Sequence, residues 1–403
     1  MFDRFAHGKR WLAIATLAAA PLLIPDACRA IPAFARKYRM SCTTCHAPVP
    51  RLKAYGEDFA GNGYNLEGKE PARYTFETGD SLLTLVRELP VAIRIDALAT
   101  YTDRGGRDQS DLKTPYGIKL MSGGAIAKNV IYYLYFFMSE RGEVAGVEDA
   151  FLVFNDLLGA DLDLTVGQFQ VSDPLFKREL RLTYDDYEIY RTRVGDTGTN
   201  LTYDRGVIVS YATPFGADLV AELVNGSGIG AADDYFDDND WKNVFVRASQ
   251  AVGPVRIGAF SYFCNSFAAS GAGAIENEHR YWGVDGTVDI GPSIQINAQY
   301  LERTDDNPLF LSAAPKRVTT AGGFVEAIWA VRGELGRPFV TFLYNYVDSD
   351  IDALYGGEDS LDYRSEAVNF SYLLRRNLRL AAEVSYREVE DEWRASAGFM
   401  TAF

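Results

Sequence analysis

SIQINAQYLER, Ser293 to Arg303, decides how this chain folds. A β-strand sends successive side chains to opposite faces. Here Ile294, Ile296, Ala298 and Tyr300 share one face, while Gln295, Asn297 and Gln299 share the other. LRLAAEVSYR repeats the pattern, with Leu380, Ala382, Val384 and Tyr386 against Arg379, Glu383, Ser385 and Arg387. So does the last segment, where Trp393, Ala395, Ala397, Phe399 and Phe403 oppose Arg394, Ser396 and Gly398. A soluble β-protein also alternates. An apolar face rich in aromatics opposite a face carrying charges is what lipid outside and water inside require.

The rest of the chain agrees. With 24 Tyr, 24 Phe and 36 Gly in 403 residues, a mean hydropathy of -0.12 and no long apolar run after residue 24, a helical membrane protein is excluded. Strand-like runs counted from Val91 number about sixteen, an even number as bacterial outer-membrane barrels have. Tight connections fall at Lys128-Asn129, Gly159-Ala160, Pro214-Gly216, Gly253-Pro254, Gly291-Pro292, Gly333-Arg337 and Arg376-Asn377. The connections between them are expected to be long, acidic and Gly-rich. Short turns face the periplasm and long loops face outward. The expected fold is therefore all-β: an antiparallel outer-membrane barrel over residues 90–403, set in outer-membrane lipid and closed because lipid offers no partner to an open edge. Phe403 is an aromatic last residue of the kind such barrels commonly show.

Residues 1–30 read as a secretory signal. Arg4, Lys9 and Arg10 precede the apolar run WLAIATLAAAPLLI, Trp11 to Ile24, and the small-residue stretch DACRA ends at Ala30. The run is shorter than the roughly 20 residues a spanning helix needs, so cleavage after Ala30 is expected. Ala33-Phe34-Ala35 offers a second site. Cys28 leaves with the signal, and the remaining cysteines are Cys42, Cys45 and Cys264, too few for a disulfide framework. Cys264 reads as a small buried or lipid-facing residue.

Cys42-Thr43-Thr44-Cys45-His46 is the chemical motif. Two thiols at this spacing add across the vinyl groups of a haem, and the adjacent imidazole is aimed at the iron. A thioredoxin-like redox pair, half of a zinc site and a structural disulfide are the competing readings. Each lacks its context: the chain has no second CxxC, and Pro48 and Pro50 follow at once. After the motif, VPRLKAYGEDFAGNGYNL predicts a short helix, with Pro50 in its first turn, Leu52, Tyr55 and Phe59 along one face, and Asn62-Gly63 at its end. Residues 67–89 look irregular or weakly helical. The segment 31–89 is too small for a core of its own, so it is expected to plug the lumen of the barrel, with a periplasmic head below the pore as the alternative.

AIPAFARKYRMSCTTCH, Ala30 to His46, followed by a porin-like chain, resembles the fused outer-membrane monohaem cytochrome-porins of Fe(II)-oxidising bacteria. The resemblance covers the whole layout and is most specific over these residues. It implies one covalent haem c, held by Cys42 and Cys45 with His46 as an axial ligand. It further implies electrons passing from extracellular Fe(II) to a periplasmic c-type cytochrome or other soluble carrier. Ferric iron precipitates near neutral pH, so oxidation outside with only electrons moving inward suits such a cell.

The second axial ligand is open. His279 has the parity of Tyr281, Asp285 and Thr287, assigned to the lumen, and is a candidate; a lumen histidine with no metal role is the competing reading. Met121 and Met138 are weaker thioether candidates, Met40 lies close to the attachment site, the Ile31 amine is more remote, and a pentacoordinate iron is a further possibility. The chain carries a net charge of -15; residues 1–30 hold four basic and two acidic side chains, which leaves -17 for the remainder. Asp233 to Asp240, Asp305 with Asp306, and Asp348 to Asp352 could steer a hard cation such as Fe(II), or be solvated loops. The connection Ser172 to Thr199, the third outward loop, mixes Lys177, Arg178, Arg181, Arg191 and Arg193 with Glu179, Asp185, Asp186 and Glu188 and could fold inward and clamp the plug, or be a solvated charged loop. No phosphate-binding Gly loop, nucleophile–base constellation or nucleic-acid patch is present. Two functions of different class follow: electron transfer with Fe(II) as donor, or a diffusion or uptake porin whose haem is structural or sensory.

Overall fold

The computed structural model describes residues 33–403 except 65, 67–74, 77, 81, 84, 87–89, 141, 231–235, 238, 271–272 and 357–360. The expected signal, Ile31 and much of 67–89 lie outside the described residues. Within that last stretch, strands β1 (Thr75–Phe76) and β2 (Leu85–Val86) pair with each other, where irregular or weakly helical chain was expected.

Among the described residues sixteen strands close one antiparallel barrel. They are β3 (Val91–Arg104), β4 (Arg107–Ala127), β5 (Val130–Glu140), β6 (Gly146–Phe154), β7 (Leu162–Gln170), β8 (Tyr203–Ala212), β9 (Ala217–Val224) and β10 (Asn243–Val252). Then follow β11 (Val255–Ser270), β12 (Gly273–Ile290), β13 (Ile294–Asp305), β14 (Val318–Ala330), β15 (Pro338–Ser349), β16 (Tyr363–Arg375), β17 (Leu378–Arg387) and β18 (Glu392–Ala402). Each pairs with its sequence neighbours, and β18 returns to β3. Phe403 completes that seam, trading backbone hydrogen bonds of 2.7 and 2.9 Å with Ile93.

The alternation appears in the burial. Along β13, Asn297, Gln299, Arg303 and Asp305 are buried in the lumen. On the outside, Trp282, Val284, Phe342, Val368 and Phe370 are exposed. Buried polar and exposed apolar residues invert the order of a soluble sheet.

All seven tight connections lie at one end of the barrel. The other end departs from the expectation of uniformly long loops. Gly105 and Gly106 alone join β3 to β4, and their positive φ values of 56° and 83° suit the tight hairpin that only glycine forms readily. Four residues, 388–391, join β17 to β18. Length goes instead into the strands, β4 having 21 residues and β12 having 18.

The connection between β7 and β8, here loop 3, folds into the lumen. Its helix α4 (Glu188–Arg191; α1 to α3 precede the barrel and are described below) presses Ile189 against Gly322, where an added Cβ would lie 2.6 Å from its Cδ1. Tyr190 donates to Gln299 Oε1 at 2.7 Å, the Tyr184 amide donates to Glu383 Oε2 at 2.7 Å, and Arg394 pairs with Asp185 at 2.5 Å. Within the loop Asp186 pairs with Arg178 at 2.5 Å and Arg181 at 3.7 Å. Burial alone would raise the Asp186 carboxyl, but the two guanidinium groups outweigh it and hold it well below the usual carboxylate range. Loop 3 thus spans from β7 to the opposite wall. The charges expected to clamp the N-terminal segment are spent on the wall and on the loop itself.

One buried cation anchors the far end of the loop. Arg303 is 2% exposed and uses all five donors. Two go to Asp305, each at 2.7 Å; the others go to Thr199 O, Tyr281 Oη and Thr197 Oγ1. Asp305, read from sequence as a possible steering residue, is therefore a buried ion-pair partner. Arg303→Ala leaves Asp305 buried without its cation and should cost about 3–5 kcal/mol. A denaturant titration of the folded barrel should show the loss together with new protease cleavage at Arg191 or Arg193; wild-type stability and an uncut loop would contradict this account.

Candidate functional site

Three short helices precede the barrel: α1 (Ala33–Tyr38), α2 (Cys42–Cys45) and α3 (Ala54–Gly61). α2 is the CxxC turn itself. The His46 amide donates to Cys42 O at 2.9 Å and the Lys53 amide to Cys45 O at 2.9 Å, while His46 and Leu52 form an antiparallel bridge. Helix α3 starts at Ala54, after the Pro50 turn rather than with it. Its covered face is Gly56 and Phe59; Tyr55, expected on that face, is 44% exposed. Gly56 has a packing reason, since a Cβ there would lie 2.4 Å from the Cys45 carbonyl oxygen.

These turns fix the imidazole. His46 Nδ1 lies 2.9 Å from Pro50 O and 3.2 Å from Arg51 O. Both carbonyls accept, so Nδ1 carries the proton and Nε2 presents its lone pair, with no protein partner among the described residues. Burial lowers the His46 pKa, with the two carbonyls partly opposing, so the ring is neutral near pH 7. A neutral ring oriented through its other nitrogen is the form that ligates a metal. Burial likewise raises the thiols of Cys42 and Cys45. Cys45 Sγ sits 4.0 Å from Met40 Sδ, and Cys42, Cys45 and Cys264 are all free thiols.

The segment lies across the end of the lumen that carries the tight turns. Arg36 donates to Val91 O at 2.7 Å, Asn155 donates to Asn62 O at 2.8 Å, and Arg51 donates to Gln295 Oε1 at 3.1 Å. Lys53 pairs with Glu334, and Glu57 with Arg256, each at 3.5 Å. Aromatic contacts complete the seal: Phe34 stacks on Tyr64 at 4.9 Å and Tyr64 on the wall residue Tyr133 at 4.7 Å, with Phe59 edge-on to Phe34 at 5.5 Å.

Between segment and wall is a cavity of about 1280 Å³, counting solvent at its mouth. Cys42, Cys45 and His46 line it, with Phe59, Ile93, Met121, Tyr133 and Tyr135. Its walls are overwhelmingly apolar, as a porphyrin face needs, and all three chemical residues of the CxxCH motif line it, so these residues fit a haem. Met121, proposed from sequence as a weaker ligand, shares the cavity. His279 does not. It faces the lumen as its parity foretold, opposite Cys264, with Nδ1 3.2 Å from Asn277 O and Nε2 unpartnered. But it stands twelve residues up the chain from Gly291, about 40 Å along the strand at roughly 3.3 Å per residue. Met121 stands seven from Lys128, about 23 Å by the same measure. Met138 is 44% exposed on the outer face.

Sequence reasoning missed Arg94, Lys119 and Tyr135 as cavity residues. Parity with Met121 would have placed Lys119 on the lumen face, because β4 alternates there. Tyr133, Tyr135 and Phe137 carried no such signal, since VIYYLYFFMSE is apolar on both faces.

Two further spaces continue up the lumen. One of about 830 Å³ shares Arg94, Lys119 and Glu179 with the first cavity. It shares Tyr116 and Tyr184 with an outer vestibule of about 2030 Å³ of mixed charge, where Asp111, Asp185, Glu188 and Glu392 are ion-paired with Lys113, Arg394, Arg191 and Arg387.

Neither a protein-family model nor a curated protein matches the chain. Solved structures do. An anion-selective porin from Comamonas acidovorans aligns with a TM-score of 0.57 at 11% identity, covering 78% of this chain and 99% of that one. The outer membrane channel DcaP of Acinetobacter baumannii gives 0.56 at 13%, covering 78% and 97%. Salmonella typhi OmpF in complex with daunomycin gives 0.52 at 13%, with the same coverage. At such identities the likeness is one of fold. The chain is a porin-like, sixteen-stranded antiparallel β-barrel of the bacterial outer membrane, a fold whose short turns as a rule face the periplasm.

Proposed function

We propose that this barrel is an outer-membrane electron-transfer protein, with one haem c at its periplasmic end, extracellular Fe(II) as donor, and a periplasmic c-type cytochrome or other soluble carrier as acceptor. The observation that carries the reading is the apolar cavity lined by Cys42, Cys45 and His46, whose imidazole is oriented through Nδ1. Haem iron supplies one-electron redox chemistry, and the protein tunes it through ligands, burial and hydrogen bonding.

The chain's own residues have distinct tasks. Cys42 and Cys45 would hold the group by thioether bonds, and His46 Nε2 would ligate it, oriented by the carbonyls of Pro50 and Arg51. Tyr64, Tyr133 and Tyr135 exclude water from the cavity, which favours the less charged ferrous form. Met121 is placed on the same wall; a thioether there would raise the potential further, in the direction an acceptor for Fe(II) needs. Loop 3 and the N-terminal segment obstruct the lumen in series, which favours charge over solute as cargo. The remaining lumen space, about 1630 Å³ beside α3, favours a second reading, a diffusion or uptake porin whose haem is structural or sensory.

The test is purified full-length protein, exported with an intact haem-maturation system and mixed with Fe(II) in stopped flow. Reduced haem bands should rise rapidly while planar bilayers show little conductance; open channels with no reduction would give the second reading. Cys42→Ala with Cys45→Ala should abolish covalent haem. Met121→Ala should convert the ferric spectrum from low to high spin and lower the midpoint potential if the thioether ligates, whereas an unchanged low-spin spectrum removes Met121 from the coordination sphere.

A further inference from the structure

The haem cavity is apolar apart from a few charged side chains, Arg94 and Lys119 among them. Lys119 follows Met121 by one step of the lumen-facing pleat, away from the periplasmic turns, and is paired in register with Arg94. Arg379 lines the adjoining space that Arg94 and Lys119 also line. Three cations therefore meet where the cavity opens up the lumen.

Only one of them has an ion-pair partner among the described residues. Arg94 pairs with Asp96 at 2.9 Å. Lys119 has no hydrogen bond or ion pair among the described residues, its Nζ lying 3.9 Å from the Phe137 ring centroid and 5.7 Å from that of Tyr135. Arg379 is 7% exposed, and its Nε and Nη1 have no partner. Asp96, Glu140 and Glu179 line the same space as carboxylates, but none of them forms an ion pair with Lys119 or Arg379 among the described residues. Glu179 bonds Gln170 and Tyr203, and Glu383 accepts from Tyr184 and Asn369. A half-buried lysine and a buried arginine without a direct ion-pair partner are costly unless an occupant supplies one.

We propose that Lys119 and Arg379, flanked by Arg94, form the carboxylate-binding end of the haem cavity and receive its two propionates. This rests on the haem reading above. A haem carries two carboxylates, at the edge away from the vinyl groups that Cys42 and Cys45 would hold. Two cations without a direct ion-pair partner match two propionates in number and sign. Arg379 offers the planar fork suited to a carboxylate, and Lys119 a point charge. The charged edge then faces the space that leads past Tyr116 and Tyr184 to the outer vestibule.

The experiment compares haem-loaded full-length wild type with Lys119→Gln, Arg379→Gln and the double variant in detergent, with barrel folding checked by heat-modifiable migration. Midpoint potential and ferric spectrum are recorded. Each single variant should keep covalent haem and the wild-type ferric spectrum while its midpoint falls, because a cation near the propionates is gone; the double variant should fall further. Lys119→Arg and Arg379→Lys should retain the wild-type midpoint. A folded double variant with the wild-type midpoint overturns the proposal. So does a change of iron spin state in Lys119→Gln with Arg379→Gln silent, which would make Lys119 an iron ligand. If wild type lacks a Soret band, the haem reading itself fails before any variant is compared.

Discussion

In lipid no water meets a backbone N–H or C=O, so a sheet that crosses the membrane must close on itself. The pairing of β18 with β3 meets that constraint, and closure creates an inside. Polar side chains that a soluble sheet would turn to water must then satisfy one another across a lumen. Arg247 with Asp285 at 2.5 Å, Arg303 with Asp305 and Arg394 with Asp185 are such pairs. Each needs further acceptors, and Arg303 finds them in the backbone and side chains of loop 3. The loop folds inward because its polar partners are there. Its Tyr187 and Tyr190, packed on Phe324, add a small apolar core at mid-lumen.

Much of this was legible in the sequence, for a physical reason. Alternation and turn chemistry are local, so the lumen face of β13, β17 and β18, the seven tight turns and the inward parity of His279 could all be read directly. Height was harder. Parity says which face a residue occupies, not how far up the barrel it stands, and His279 fails to reach the cavity on height alone. That distance was available by counting residues from the nearest tight turn. Burial on both faces erased the signal in β5, where the lumen side is a row of aromatics. The covered face of α3 was misjudged for another reason: Gly56 wins its place by close approach to Cys45, and no hydrophobic pattern marks a glycine.

The N-terminal segment shows the same dependence on the barrel. Phe34, Phe59 and Tyr64 form a cluster too small to stand alone, and Tyr133 of β5 supplies the missing surface. Gly63, with φ of 61°, lets the chain turn closely over Ile131 at the end of α3. The segment and the wall are thus one packing unit. A haem bound between them would touch both, so its attachment and the seating of the segment would stabilise each other by linkage.

Under the proposed function the order of parts along the lumen is itself a mechanism. A vestibule of mixed charge stands at the outer mouth, loop 3 at mid-height, cations below it and the CxxCH turn at the end with the tight turns. A cation entering at the mouth meets loop 3, held across the lumen by the buried Arg303 and Arg394, and then the N-terminal segment. An electron meets no such barrier. The two obstructions in series would therefore keep the metal ion on the outer side, and a lumen arranged in this way separates the fate of the electron from the fate of its donor.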